Sequence, residues 1–144
     1  FDALMNHNRW NIINKSADRV FTKAHERGIA VLNAAPYASG ILAKGSSVMP
    51  RIAYQDATTE SLEPVKAIEV ICSRHQVPPG ALALQFSTRD PRITSTVAGV
   101  TKPSRVQQTL DWANMELSDS LWAEIENLNF SMEDPETNRE YKPG

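Results

Sequence analysis

Two segments carry residue types that suit a phosphate-bearing ligand. Residues 33–42 read Asn-Ala-Ala-Pro-Tyr-Ala-Ser-Gly-Ile-Leu, and residues 98–109 read Ala-Gly-Val-Thr-Lys-Pro-Ser-Arg-Val-Gln-Gln-Thr. A glycine at a strand end lets the backbone approach a ligand closely, and a helix N-terminus behind it offers free amide groups and a positive dipole end to a phosphate. Lys102 and Arg105 add positive charge there. The same residues also fit an ordinary strand-to-helix turn and a solvated helix face, so both interpretations stay open.

The cysteine and the histidines predict neither a nucleophile nor a metal site. Cys72 is the single cysteine, so it can form no internal disulfide, and its apolar helical surroundings indicate a small buried residue. This cysteine usage fits a reducing compartment, and we expect a cytoplasmic protein. His7, His25 and His75 show no metal-ligand spacing.

Strand-like and helix-like segments alternate along the chain and must position the two ligand segments. The mainly apolar run at 29–34, interrupted at Asn33, lacks alternation and so indicates a strand buried on both faces, as in a parallel sheet. Ser16 is the expected N-cap of the first helix, and Gly28 its expected C-terminal end. The predicted strands span residues 2–5, 29–34 and 93–99. The predicted helices span 17–27, 61–75, 80–88, 103–112 and, after a Ser118 cap, about 119–128. Residues 43–58 are predicted to form a long irregular loop of the kind that often carries function.

This order predicts a single α/β unit with parallel strands joined by right-handed crossovers. A complete (β/α)8 barrel takes about 250 residues, so three strands in 144 residues fit part of such a barrel better than a complete doubly wound domain. Residues 1–128 are the predicted barrel part, and 129–144 a polar surface extension.

Composition excludes several other classes. Hydrophobic residues make up 41% of the chain, enough for a core, and the formal net charge of −2 gives no basic excess for nucleic acid. The longest apolar run, residues 29–35, is far shorter than the roughly 18–20 residues of a membrane helix. We therefore expect neither a nucleic-acid nor a membrane partner. The chain starts at Phe1 and no secretory signal is visible, which suggests a processed start or a piece of a longer protein.

Three runs resemble those of aldo-keto reductases, in the same order and spacing. Residues 10–15, Trp-Asn-Ile-Ile-Asn-Lys, resemble the Tyr-Asn-Leu-Leu-Asp-Arg run after the family's sixth strand. Residues 36–42 resemble the Pro-Leu-x-x-Gly-x-Leu run after the seventh strand, and residues 99–109 resemble the Gly-Ala-Ser-Ser-Pro-Glu-Gln-Leu-Glu-Glu-Asn run of the eighth. The resemblance extends to about Leu128. Residues 33–37 and 89–99 are most similar to the branch with D-threo-aldose (L-fucose-type) 1-dehydrogenases and pyridoxal 4-dehydrogenase.

The resemblance implies the last three βα units of a TIM barrel that binds NADP or NAD. By position, the 36–42 loop, with Pro36, Tyr37, Ser39, Gly40 and Leu42, would lie along the cofactor pyrophosphate. Gly99, Val100 and Thr101 would hold the adenosine-side phosphate, Arg105 would lie near the ribose, and Gln108 and Thr109 would contact adenine. His7 or Asn8 would orient the nicotinamide carboxamide.

Three positions depart from the family pattern. Ala34 stands where many members place a tyrosine that stacks on the nicotinamide, and Thr109 replaces a common asparagine. Lys102 replaces the serine or threonine before Pro103, and together with Arg105 it could favour a 2′-phosphate, which leaves NADP and NAD both open. The family's Asp, Tyr, Lys and His tetrad belongs to the first half of the barrel, and no residue here matches it. We therefore assign no catalytic residue.

The resemblance implies the C-terminal cofactor-binding part of an oxidoreductase that transfers hydride between nicotinamide and a sugar or a small aldehyde or alcohol. The 43–58 loop and the tail after Asn129 would contribute to the substrate rim. The isolated chain would be inactive, and its partner would be the N-terminal half of the barrel or a second copy. Two alternatives stay open. One is a stand-alone, non-enzymatic half-barrel that binds nucleotides or serves assembly, and the other is a piece of a different TIM barrel. A reading frame that continues upstream through a segment with Tyr and Lys would favour the enzyme.

Overall fold

A computed structural model describes residues 1–137. The elements in chain order are β1 (Ala3–His7), α1 (Asp18–Glu26), β2 (Ala30–Ala34), a 3-10 turn (Ala38–Gly40), α2 (Ile41–Lys44), β3 (Arg51–Ile52), β4 (Gln55–Asp56), α3 (Thr59–Arg74), α4 (Pro79–Thr88), β5 (Ser95–Val97), α5 (Pro103–Ala113) and α6 (Asp119–Glu126). Strands β1, β2 and β5 form a parallel sheet in the order β1-β2-β5. The expected α/β alternation and parallel pairing are confirmed.

One face of this sheet is covered by helices. Leu4 and Val31 point to this side and pack with Trp10 and Phe21, and Val31 is fully buried. Two residues further along the same strands, Asn6 Nδ2 donates to Asn33 Oδ1 at 2.6 Å. We refer to this side as the helix-covered face.

The opposite side, here the open face, is much more exposed. Met5, Leu32 and Ser95 lie side by side in register, and so do His7, Ala34 and Val97. Met5 is 65% exposed and Val97 is 40% exposed. The expected burial of residues 29–34 on both faces is therefore wrong for the open side, where Ala30 and Leu32 are partly exposed and only Ala34 is buried.

The main hydrophobic core lies among helices α3, α4 and α6. It holds Val65, Ile68, Ile71, Cys72, Leu82, Ala83, Leu121 and Ile125. The expected burial of Cys72 is confirmed, and burial raises the pKa of its thiol to about 11, which argues against a nucleophile. Over residues 1–137 no helix is both long and apolar enough to cross a membrane.

Two of the three expected helix-terminal residues are confirmed. Gly28 takes the left-handed conformation (φ +65°) after α1, and Ser118 Oγ accepts from Leu121 N–H at the start of α6. The expectation for Ser16 is wrong, because Ala17 is the N-cap of α1. The Ser16 hydroxyl instead donates to Asn14 Oδ1 at 2.7 Å, so a local side-chain contact replaces the cap.

The expectation of an irregular loop over 43–58 is wrong for residues 51–56, which form the β3–β4 hairpin. Its two turn residues, Ala53 and Tyr54, have φ of 49° and 66°. Such turns usually carry Asn-Gly or Asp-Gly, so the residue types here give no hairpin signal. The expected end of this segment at residue 58 is confirmed, and α3 begins at Thr59, two residues before the expected helix start at 61. The Thr58 side chain caps this helix by accepting from Ser61 N–H.

The first part of the expected C-terminal extension lies against the rest of the chain. Ser131 shares backbone hydrogen bonds with Ile13 and Lys15 at 3.0 and 2.8 Å. The Phe130 ring stacks on Phe86, and the Lys15 ammonium lies 3.6 Å from the Phe130 ring centroid. This segment passes over the loop that follows β1. Residues 138–144 of the expected extension lie outside the described residues.

Candidate functional site

A cleft of about 400 Å³ opens at the carboxyl ends of β2 and β5. This is the edge of a parallel sheet where ligands bind in α/β folds. We refer to it as the strand-end cleft. Its lining residues come from the loop after β2, the hairpin tip and the start of α5: Ala35, Pro36, Tyr37, Ser39, Gly40, Ala43, Lys44, Tyr54, Gly99, Val100, Thr101, Arg105, Gln108, Thr109 and Trp112.

The loop after β2 forms one wall, and its backbone is strained. Ala35, Ala38 and Ser39 have φ of 59°, 47° and 63°, and Gly40 has φ of 98°. Left-handed non-glycine residues cost about 1 kcal/mol or more each and cluster at ligand sites. The Ser39 hydroxyl accepts from the Tyr54 backbone N–H at 3.1 Å, which ties this wall to the hairpin.

The first turns of α5 form the opposite wall. Lys102 is the N-cap but makes no side-chain cap, Pro103 follows as the first helical residue, and the first turn contains no acidic residue. The N-terminal dipole end is therefore left for an external anion.

The side chains one turn into α5 are already ordered by contacts with each other. Arg105 Nη1 donates to Gln108 Oε1 at 2.9 Å. The Thr109 hydroxyl donates to the Arg105 carbonyl at 2.7 Å. A cationic side chain and two polar side chains are thus held on the helix face that lines the cleft.

Tyr37 contributes a polar atom that has no protein partner. Its ring packs edge-on against Trp112, with centroids 6.0 Å apart. Burial raises the pKa of Tyr37, and the nearby Thr109 hydroxyl and Arg105 charge lower it in part. The buried Tyr37 hydroxyl makes no hydrogen bond of good geometry within the described part of the chain, and the neighbouring Thr109 hydroxyl directs its own hydrogen to the Arg105 carbonyl. Such an orphaned group suits a polar ligand.

The cleft brings together most of the residues expected to bind the cofactor. They are Pro36, Tyr37, Ser39, Gly40, Gly99, Val100, Thr101, Arg105, Gln108 and Thr109. Lys102 is exposed beside them at the N-cap. Leu42 is 1% exposed and packs in the helical core instead, and Ala34 is buried at the end of β2.

His7 and Asn8 lie apart from this cleft, under the C-terminal tail. His7 Nδ1 lies 3.0 Å from Glu136 Oε1, and its Nε2 lies 3.1 Å from the Tyr54 hydroxyl. Asn8 Nδ2 donates to the same Glu136 oxygen at 3.0 Å. Burial raises the pKa of Glu136, but the hydrogen bonds from Asn8 and His7 outweigh it and hold that pKa below its usual value.

Sequence reasoning missed Trp112, Tyr54 and Glu136 as individual residues of this region. Trp112 lies at helical spacing from Arg105, Gln108 and Thr109, so the period of α5 could have placed it on the same face. Tyr54 and Glu136 give no such signal, because a tight hairpin and the path of the tail bring them in. No group of three or more His, Cys, Asp or Glu residues within 1–137 is arranged to hold a metal ion.

Comparison with known proteins supplies the family. The Aldo/keto reductase family model matches residues 1–129. Pyridoxal 4-dehydrogenase from Microbacterium luteolum is 28% identical over 118 residues, covering 81% of this chain and 34% of that protein. D-threo-aldose 1-dehydrogenase from Pseudomonas sp is 28% identical over 126 residues, covering 86% of this chain and 38% of that protein.

Solved structures show the same fold. The apo form of aldo-keto reductase AKR11C1 from Bacillus halodurans superposes with a TM-score of 0.67 at 18% identity, covering 97% of this chain and 47% of that one. Its holo form gives a TM-score of 0.66 at 18% identity, with 96% and 46% coverage. The chain thus spans about a third of the curated relatives' length and under half of the solved structures. With a family match over residues 1–129, this chain belongs to the aldo/keto reductase family.

Proposed function

We propose that this chain is the cofactor-holding part of an NAD(P)-dependent aldo-keto reductase that oxidises an aldose or reduces a small aldehyde. The observation that carries the proposal is the strand-end cleft, where the loop after β2 and the start of α5 meet. The dehydrogenase relatives named above support the reaction class.

The residues of the cleft fit a dinucleotide. An uncapped helix N-terminus and Arg105 suit phosphate, and Gly99 leaves open space beside its backbone, with no atom within 4 Å of where a Cβ would be. The orphaned Tyr37 hydroxyl supplies a donor or acceptor within the wall. The volume of about 400 Å³ lies within the range of ligand clefts.

In this proposal each wall of the cleft holds a different part of the cofactor. Pro36, Tyr37, Ser39 and Gly40 lie along the pyrophosphate. The segment Gly99–Thr101 and Lys102 hold the adenosine-side phosphate. Arg105 lies by the ribose, with Gln108 and Thr109 at the adenine.

His7, rather than Asn8, is the better candidate for the nicotinamide carboxamide. His7 belongs to the row His7–Ala34–Val97 on the open face, whereas Asn8 is 2% exposed and lines a different cavity. With Ala34 in that row, no aromatic ring from this position stacks on the nicotinamide. The bound cofactor would carry the hydride, and this chain would bind and orient it.

The open face suggests what completes the protein. In a closed barrel this face would be the lumen side, and Met5 and Val97 would then be covered by side chains of other strands. We infer that further βα units, on the same or a separate chain, or a second copy, cover it. The proton-transfer group would come from those units, so we expect no turnover from these 144 residues alone.

The test is dinucleotide binding by the protein at the length in which it is produced. NADPH and NADH are titrated separately while tryptophan fluorescence is followed, since Trp112 lines the cleft. We expect saturable quenching, and Arg105→Gln should weaken NADPH binding about tenfold through loss of a charge-assisted contact. A larger loss for NADPH than for NADH would identify a 2′-phosphate contact.

Arg19→Gln is the matched control, because Arg19 is an exposed arginine on α1, outside the cleft. Equal weakening by both variants, or no saturable binding of either dinucleotide, would overturn the proposal. A second assay separates the enzyme from a non-enzymatic nucleotide-binding module. For the enzyme, we expect the assembled protein to oxidise an aldose, whereas the chain alone binds the dinucleotide without turnover.

A further inference from the structure

A second cavity, of about 580 Å³, lies on the other side of the β3–β4 hairpin. Tyr54 lines the strand-end cleft, whereas the preceding Ala53 lines this cavity, and within residues 1–137 the two share no lining residue. Its walls are the loop after β1, the hairpin, the start of α3 and tail residues 131–135. We refer to it as the rim cavity.

One buried side chain in the wall of the rim cavity lacks a partner. Asn8 is 2% exposed, with φ of 60°. Its Nδ2 donates to Glu136, but its Oδ1 is buried with no donor in the described residues. A buried acceptor without a donor costs free energy, so this atom suits a ligand that donates hydrogen bonds.

The charges of the rim cavity have one sign. Four carboxylates line it, and no lysine, arginine or histidine does so within the part of the chain described. Asp56 pairs with Arg51 and Asp134 pairs with Arg9.

The other two lining carboxylates, those of Glu60 and Glu133, have no cationic partner among residues 1–137. They stand on different walls, one on α3 and one on the tail. Uncompensated carboxylates beside a cavity attract cations.

The remaining walls favour an organic cation over a metal ion. Ile13, Ile52 and Pro64 give the cavity apolar surface. The amides of Asn11 and Asn14 are already used within the protein. Within residues 1–137, no group of three or more His, Cys, Asp or Glu side chains is arranged to hold a metal ion.

We propose that the rim cavity binds an aliphatic polyamine. Its ammonium groups pair with Glu60 and Glu133, its N–H groups satisfy Asn8 Oδ1, and its methylene chain lies on the apolar walls. This site is separate from the strand-end cleft and does not depend on the dinucleotide proposal.

The test is a calorimetric titration of spermidine into the protein at its natural length and at low ionic strength. We expect saturable binding with one site per chain. Glu60→Gln and Glu133→Gln should each weaken it about fivefold, the upper end for exposed ion pairs. Asn8→Gly keeps the left-handed backbone accessible and removes Oδ1, so it should also weaken binding.

Glu63→Gln is the matched control, since Glu63 is exposed on the same helix and does not line the cavity. Equal weakening by Glu63→Gln would show diffuse surface attraction and overturn the proposal. So would absence of saturable binding, or equally tight binding of the neutral 1,8-octanediol. Loss of dinucleotide binding with intact spermidine binding would overturn only the proposed function.

Discussion

The two faces of the three-stranded sheet differ in how completely the rest of the chain buries and hydrogen-bonds their side chains. On the helix-covered face Val31 is fully buried and the polar side chains bond to each other. On the open face Val97 is 40% exposed and Met5 is 65% exposed. The same three strands thus have a buried core on one side. On the other side they have an exposed apolar surface, which would be stabilised if other groups covered it.

The difference also separates structural from ligand-facing polar groups. Asn33 is fully buried on the helix-covered face and uses both ends of its amide. The unsatisfied Tyr37 hydroxyl and Asn8 Oδ1 instead lie beyond the carboxyl ends of the strands. Most polar side chains of the helix-covered face are paired, with the buried Trp10 Nε1 as an exception. Tyr37 and Asn8, in contrast, belong to residues that line cavities.

The largest effect is expected from breaking the polar contacts of the helix-covered face. Asn33 Nδ2 donates to the Trp10 carbonyl at 3.0 Å and to Ser87 Oγ at 2.8 Å, and Asn33 Oδ1 accepts from Asn6. Asn33→Ala leaves several buried groups without partners and should lower the free energy of unfolding by about 3–5 kcal/mol. Urea denaturation measures it.

Asn127→Ala is the control for Asn33→Ala, because Asn127 is exposed and donates only to the Ala123 carbonyl of its own helix. We expect a change within about 0.5 kcal/mol. If Asn33→Ala cost no more than this control, the buried polar contacts would not be a main source of stability.

A matched pair of valines compares the two faces directly. Val31→Ala removes a fully buried side chain and should cost about 2 kcal/mol. Val97→Ala, on the open face of a neighbouring strand, should cost about 0.5 kcal/mol or less. Urea denaturation at several protein concentrations measures both.

Equal costs for the two valines would show that the open face is covered in solution. A cost of Val97→Ala that grows with protein concentration would identify a second copy as the cover. A concentration-independent cost would point to residues of the same polypeptide.

The sequence predicts the elements well where local chemistry decides them. Ser118 and Gly28 have the residue types their positions require, and the parallel strands follow from the alternation with helices. The N-cap prediction for Ser16 is wrong because Asn14, two residues earlier, accepts a hydrogen bond from the Ser16 hydroxyl. The hairpin at Ala53 and Tyr54 is not predicted, because its positive φ values occur without turn-forming residues. A contact with a separate segment, from the Tyr54 backbone N–H to the Ser39 hydroxyl, holds it instead.

The main chain and charges of the strand-end cleft are predicted from the sequence, but the contacts around neighbouring His7 are not. Gly99 and Arg105 stand in recognisable runs, and both line the cleft. Tyr54 and Glu136 come from segments distant in sequence, and only tertiary packing brings them to His7. These contacts join residues 47 and 129 positions apart, and a contact at such a separation produces no periodic pattern in the sequence.

A further effect of about 1 kcal/mol depends on pH and again belongs to the helix-covered face. Arg92 donates to Asp90 and Asp18 at 2.8 Å, and its guanidinium lies 4.7 Å from the centroid of the Trp10 ring. Burial raises the pKa of Asp90, but the hydrogen bonds and charge of Arg92 outweigh it and hold the pKa below its usual value near 3.8. The ionised Asp90 therefore stabilises the fold above that value, and this stabilisation is lost as the pH falls below it.

Asp90→Asn keeps an acceptor for the Arg92 N–H groups but removes the charge, so at pH 7 it should cost about 1 kcal/mol. Because protonation removes the same charge from the parent protein, the difference between the two should shrink below pH 4. Urea denaturation from pH 7 to pH 2.5 measures it, with exposed Asp2→Asn as the baseline for removal of a carboxylate. A difference that stayed constant over this range would mean that Asp90 acts through packing, and that the helix-covered face owes nothing to its charge.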